Sequence, residues 1–237
     1  MEPILLITRP APAGVQFAAT VAAGLDVPHR VLHAPALQIT PLDYRMPDAA
    51  GVIFTSARAV SLAPMGAGLR AFCVGDATSA AATARGYSVM NAAGDADALV
   101  ALILQHRPPG PLVHLGGRHR RGAIAERLTA AGVPCTTVVV YDQMRLPEGD
   151  LLREAASGDT PVVAPVFSLR SAGGVLALDW RAPLHVVAIS AVVADAFAAL
   201  APARLLTVAH PDADHMVQMT RATLWGLSTL EGGAHAV

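Results

Sequence analysis

Short continuous apolar runs alternate along the chain with longer alanine-rich stretches of helical periodicity. The apolar runs predict strands over Ile4–Thr8, Val31–His33, Val52–Phe54, Ala71–Val74, Leu112–Leu115, Thr136–Tyr141, Pro161–Phe167, His185–Ile189 and Leu205–Val208. The stretches between them predict helices over Ala13–Gly24, Arg58–Pro64, Ala77–Arg85, Asp95–Gln105, Gly122–Ala131, Leu151–Ala156, Leu169–Ala177, Val192–Leu200 and Asp212–Leu224. Runs such as Ile4-Leu5-Leu6-Ile7 do not alternate with polar residues, so both faces of their sheet are covered, which is the signature of parallel α/β architecture.

The pattern also repeats. Ser56-Ala57-Arg58 and Ser168-Leu169-Arg170 each follow a strand; Val74-Gly75 returns as Ile189-Ser190, and Gly94-Asp95-Ala96-Asp97 as Pro211-Asp212-Ala213-Asp214. Ala22-Ala23-Gly24 likewise returns as Ala130-Ala131-Gly132. Four segments reappearing in order, roughly 110 residues on, imply two homologous α/β lobes. The expected division is a discontinuous first lobe (1–34 plus 151–225), an inserted second lobe (38–143) and a frayed tail (226–237); tandem halves, 1–110 and 111–225, are the alternative. The expected fold is α/β, with two similar parallel-sheet lobes joined by a two-stranded linker and a ligand cleft between them.

Composition narrows the function classes. Of 237 residues 53% are hydrophobic and 15% charged, which excludes a disordered chain. A net charge of -1 gives no electrostatic footprint for nucleic acid. Mean hydropathy is +0.46, yet Asp195, Pro202 and Arg204 interrupt the richest stretch, so no membrane span is expected. The first residues lack a basic segment and a cleavage site, so no signal peptide is expected, and Cys73 and Cys135 form no paired motif, which suits a reducing cytoplasm. All 17 basic residues are arginine; Schiff-base chemistry and a phosphate-loop lysine are excluded.

The candidate chemistry gathers at strand ends, where open α/β sheets bind ligands. Gly75 and Thr78 stand at a strand-to-helix turn whose free N–H groups suit an anion, but the turn is not a dinucleotide fingerprint. The run Gly116-Gly117-Arg118-His119-Arg120-Arg121-Gly122 puts cations before a helix, an arrangement an anionic ligand would turn from repulsive to favourable. Thr55, Ser56, Thr78, Ser168, Ser171 and Ser190 are hydroxyls suited either to carboxylates or to helix capping. No serine has the setting of a nucleophile, and the spacing of His114 and His119, or of His210 and His215, is poor for metal. No cofactor and no metal are expected.

Several of these segments resemble one family. Ile7-Thr8-Arg9-Pro10, Pro35-Ala36-Leu37-Gln38-Ile39, Phe54 to Val60, Val74 to Thr78, Val139-Val140-Tyr141, Phe167-Ser168 with Ser171-Ala172, and Ala188-Ile189-Ser190 are similar, in order, to the motifs of uroporphyrinogen-III synthases. The resemblance implies two α/β lobes, the first built from both chain ends, and a cofactor-free reaction: linear hydroxymethylbilane closes to uroporphyrinogen III with inversion of ring D and loss of water. The hydroxymethyl group leaves as water, an azafulvenium-like cation forms, and ring D attacks through its substituted carbon to give a spiro intermediate. Because closure to the uninverted isomer competes, catalysis is chiefly orientation through remote carboxylate anchors.

The expected substrate-binding set is Arg9, Thr55, Ser56, Gly75, Arg118, Arg121, Ser168, Ser171 and Ser190. Some relatives carry a proton-donating tyrosine shortly after the second linker strand, but 151–165 contains none here, and Val192 and Val193 stand where some relatives have threonines. Tyr141, Thr78, a substrate carboxyl and a water are left as candidates for the acid, with Tyr141 and Thr78 the protein's own. A cytoplasmic monomer is expected, in transient contact with the enzyme that supplies hydroxymethylbilane. The competing readings are a non-catalytic two-lobe anion-binding protein, an inactive homologue and a nucleotide-dependent enzyme.

Overall fold

The computed structural model describes residues 2–120 and 122–232. Its elements in chain order are β1 (Ile4–Ile7), α1 (Ala13–Ala23), β2 (Arg30–His33), β3 (Leu37–Pro41), β4 (Gly51–Phe54), α2 (Ala57–Leu62), β5 (Arg70–Cys73), α3 (Asp76–Ala84), β6 (Ser88–Asn91), α4 (Ala96–His106), β7 (Leu112–Gly117), α5 (Ile124–Ala130), β8 (Cys135–Arg145), α6 (Asp150–Ser157), β9 (Val162–Val166), α7 (Leu169–Leu176), β10 (Leu184–Ala188), α8 (Ala191–Asp195), β11 (Arg204–Thr207) and α9 (Ala213–Gly232). The chain divides into two compact units, one running up to Gln38 and resuming at Met144, the other spanning Ile39–Gln143. These boundaries fall inside β3 and β8.

The first unit holds a five-stranded sheet ordered β11-β10-β9-β1-β2, with parallel pairing throughout. Ile4 and Leu6 enter one core with Leu152, Val175 and Phe197; Leu5 and Ile7 enter the other with Phe17, Val21 and Met216. Pro165 lies inside β9, where a missing N–H normally breaks a ladder. It is tolerated because residues of its parity face β1, and β1 pairing ends at Leu5 with Val163.

The second unit holds a six-stranded sheet ordered β3-β8-β7-β4-β5-β6, in which β4 to β8 pair in parallel. Val52 and Phe54 pack with Val60 and Ala82 on one face; Ile53 and Leu112 pack with Leu99, Ile103 and Leu128 on the other. β3 runs against β8: the N–H of Leu42 donates to Val140 and that of Leu146 to Ala36.

Four local expectations need correcting. The strand pattern missed β3 and β6, which are short, only partly buried edge strands, and Pro41 closes β3 where an edge needs no donor. The helix expected from Gly122 begins at Ile124, because Gly122 (φ 90°) and Ala123 (φ 43°) are both left-handed. The helix expected over Val192–Leu200 stops at Asp195 and resumes only as a 3-10 turn over Ala198–Leu200; Pro202 biases Ala201 away from the right-handed region, and it sits at φ 44°. Finally, α9 continues to Gly232 through part of the stretch read as a frayed tail. Leu227 packs on the core, and the hydroxyls of Ser228 and Thr229 donate back to Leu224 and Trp225. Residues 233–237 of that stretch lie outside the described residues.

Candidate active site

A parallel sheet sends all its strands out at one edge, so strand order decides which turns become neighbours. In the second unit β7, β4 and β5 are consecutive, which brings Arg118, Thr55, Ser56 and Gly75 to one edge. In the first unit β10, β9 and β1 do the same for Ser190, Ser168, Ser171 and Arg9. Arg121 lies outside the described residues.

Several of these groups are already engaged. The Ser56 hydroxyl accepts from the N–H of Arg58 at 3.1 Å and caps α2. Ser168 caps α7 by accepting from the N–H of Ser171 at 3.1 Å, while the buried Ser171 hydroxyl donates to the Ser168 carbonyl at 2.9 Å. The Arg118 Nε donates to an Asp142 oxygen at 2.8 Å, and its backbone N–H donates to Tyr141. Asp142 is held below the usual carboxylate range, first by the N–H of Gln143 and then by Arg118. Arg9 lies over the Phe167 ring, 4.0 Å from its centroid, and burial lowers its pKa.

Two positions are open. Gly75 begins α3 in extended conformation, with no atom within 4 Å of where a Cβ would stand. Ser190 begins α8 without a side-chain cap bond. Thr78 is buried in the first turn of α3. Tyr141 is also buried, with its ring against Gly117: a Cβ there would fall 2.6 Å from Cε2, so only glycine admits the ring. A β-bulge in the β7–β8 pairing shifts Gly117 into register with Tyr141.

Sequence reasoning gave no role to two features. His114 on β7 is 1% exposed; its Nε2 lies 3.3 Å from the Thr55 hydroxyl, and its Nδ1 has no partner among the described residues. Burial, and secondarily Arg120, lower its pKa to about 4 against the weaker pull of Glu126, so the imidazole is neutral. In the first unit, the ends of β1 and β2, the chain before α6 and Gly174 of α7 enclose a cavity of about 480 Å3. Thr8 lines it, is 1% exposed and has a hydroxyl with no partner among the described residues. Among the described residues the ionisable side chains lining it are the carboxylates of Glu148 and Asp150 and the imidazole of His33. The available signal was a threonine ending an apolar strand and an acidic pair around Gly149.

Among the described residues no three His, Cys, Asp or Glu side chains group to hold a metal, and no helix is long and apolar enough to cross a membrane. Cys73 and Cys135 are free thiols pushed up to about 11 by burial, which suppresses the thiolate.

Two predominantly parallel sheets flanked by helices, with polar turns at their strand ends, define a two-unit α/β protein. A family model described as uroporphyrinogen-III synthase HemD matches residues 20–218. The chain belongs to the uroporphyrinogen-III synthase family. Among solved structures it is similar to the uroporphyrinogen-III synthetase of Helicobacter pylori, with 13% identity and a TM-score of 0.66 over 94% of this chain and 100% of that one. It is also similar to a mutant uroporphyrinogen III synthase from Thermus thermophilus, with 15% identity and a TM-score of 0.53 over 95% of this chain and 100% of that one. Curated proteins give no significant match. These matches do not favour the non-catalytic anion-binding reading.

Proposed function

We propose that this chain closes hydroxymethylbilane to uroporphyrinogen III, inverting ring D and releasing water, without a cofactor. The observation that carries the proposal is the family match over residues 20–218 of a chain with two parallel sheets. Substrate carboxylates bind at the strand ends of both units: at Gly75, Thr55 and Arg118 in one, and at Arg9, Ser168 and Ser190 in the other. Ser56 and Ser168 act there through the helix starts their hydroxyls cap, and Ser171 through the N–H it gives to that cap and the hydroxyl it returns to the Ser168 carbonyl. Arg118 binds carboxylate with the guanidinium donors that Asp142 leaves free. The protein works as a monomeric lyase in the cytoplasm, a setting its two free cysteines suit.

Tyr141 and Thr78 are the protein's proton donors to the departing hydroxyl, and neither is indispensable in the way a nucleophile is. The test is conversion of fresh hydroxymethylbilane with both uroporphyrinogen isomers resolved. The wild-type chain forms isomer III well above the spontaneous background; isomer I alone would refute the proposal. Tyr141→Phe loses at most about 10²-fold, the lower range for one general acid. Complete loss in a folded, substrate-binding variant would show that one acid, not orientation, carries the step.

A further inference from the structure

The cavity in the first unit has the wrong polarity for the carboxylate-binding role expected of strand ends. Its carboxylate lining is Glu148 and Asp150, no arginine lines it among the described residues, and apart from the imidazole of His33 its walls are largely apolar, with Ala36 and Leu146 among them. A carboxylate entering it would meet two like charges. A group that donates a hydrogen bond, or carries positive charge, would meet acceptors. Thr8 stands at the cavity wall almost wholly covered, and its hydroxyl has no partner among the described residues, so the polar groups a ligand meets directly are the carboxylates.

Glu148 is held yet not spent. Gly174 lies beside it, with a Cβ position 3.9 Å from the Glu148 Cγ. Arg153 approaches the carboxylate only to 3.9 Å and directs its Nε to the Glu148 carbonyl instead. Most of the carboxylate's accepting capacity is therefore free. At about 480 Å3 the cavity is of ordinary ligand size.

We propose that this cavity takes one pyrrole ring of the linear tetrapyrrole, its N–H donating to the Glu148 carboxylate and its edge against Thr8. This rests on the function proposed above. When the hydroxymethyl C–O bond breaks, the electron pair leaves with the oxygen, which takes a proton from the acid proposed above and departs as water. The ring π electrons shift to form the exocyclic double bond to the former hydroxymethyl carbon, and the pyrrole nitrogen lone pair completes a C=N bond within the ring, so the nitrogen becomes positively charged. Glu148, with Asp150 nearby, stabilises that charge, while the carboxylate arms stay outside with the arginines and helix starts.

Two measurements test it separately. In a backbone-amide NMR titration, 2-(aminomethyl)pyrrole, a cationic monopyrrole without carboxylates, shifts the amides of Thr8, Ala36 and Gly149, and pyrrole-2-carboxylate does not. Glu148→Gln weakens that binding about tenfold or more, as expected when a charged acceptor is lost. In the isomer-resolved assay Glu148→Gln lowers kcat by about tenfold to a hundredfold with a smaller change in KM, and Glu148→Asp recovers most of it. Equal shifts by the two pyrroles, no shift at these amides, or a Glu148→Gln kcat within about twofold of wild type would overturn the proposal. If the wild-type chain forms no isomer III, the functional reading fails, and the titration still decides whether the cavity binds a cationic pyrrole.

Discussion

The two units repeat one topology and differ in what they bury at one matching strand-end position. β9, β10 and β11 followed by β1 and β2 correspond to β4, β5 and β6 followed by β7 and β8, because β2-β1-β9-β10-β11 and β8-β7-β4-β5-β6 are the same order. Ser56 and Ser168 stand equally far past Gly51 and Val163, which pair with Leu112 and Leu5. On that correspondence His114 occupies the place of Ile7. Isoleucine fills the position with apolar contact to Phe17 and its neighbours; histidine fills it with a neutral imidazole next to Thr55. The scaffold therefore does not require a polar group there. The second unit tolerates the desolvation of an imidazole and gains a polar group beneath its arginine-bearing turn, whereas the first unit keeps isoleucine at the matching place and has carboxylates in the lining of its cavity.

The largest expected consequence is a difference in acid sensitivity. His114 titrates near its ordinary 6.5 when unfolded and at about 4 when folded, so the folded state binds fewer protons between those values. Its contribution is complete above pH ~6.5 and is lost as pH falls toward 4, by up to about 3 kcal/mol. His185 in the first unit is shifted downward too, by burial and then by Arg204, and the sign is the same, but it is only half-buried. Hydrogen exchange between pH 7 and 4 should show the Leu112–Leu115 amides losing protection faster than Ile4–Ile7. His114→Ile should remove that excess; equal losses in the variant and the wild type would break the comparison.

A smaller effect separates the serines. Ser56→Ala and Ser168→Ala each remove a helix cap and should cost about 1 kcal/mol in denaturant unfolding. Ser190→Ala removes no cap bond and should change stability by only a few tenths of a kcal/mol, raising KM for hydroxymethylbilane instead. A Ser190→Ala variant that loses as much stability as Ser168→Ala would remove the distinction between capping and ligand-facing hydroxyls.

The central strands were legible because burial on both faces leaves uninterrupted apolar runs, as in Ile4–Ile7 and Val52–Phe54. The edge strands β3 and β6 were not, since half-exposed segments of four or five residues carry no such run. The capping serines were legible from chemistry that is local in sequence. Arg118 pairing with Asp142 was not, because only the β7–β8 register brings them together. The acidic cavity was hidden for the same reason: Thr8 and Glu148 line one cavity only through the folding of both chain ends into one unit, so the strand-ending threonine and the acidic pair around Gly149 stay separate signals in the sequence.

The central claim is that strand ends orient a flexible substrate, and Gly75 tests it most directly. Its conformation suits any residue and the space before it is empty, so Gly75→Leu should fold normally while blocking the start of α3. The measurement is the ratio of uroporphyrinogen III to I formed from hydroxymethylbilane by this variant and by the wild type. A shift toward isomer I, with unchanged thermal stability, is the result expected of a loosened anchor. A wild-type ratio with a wild-type KM would contradict it.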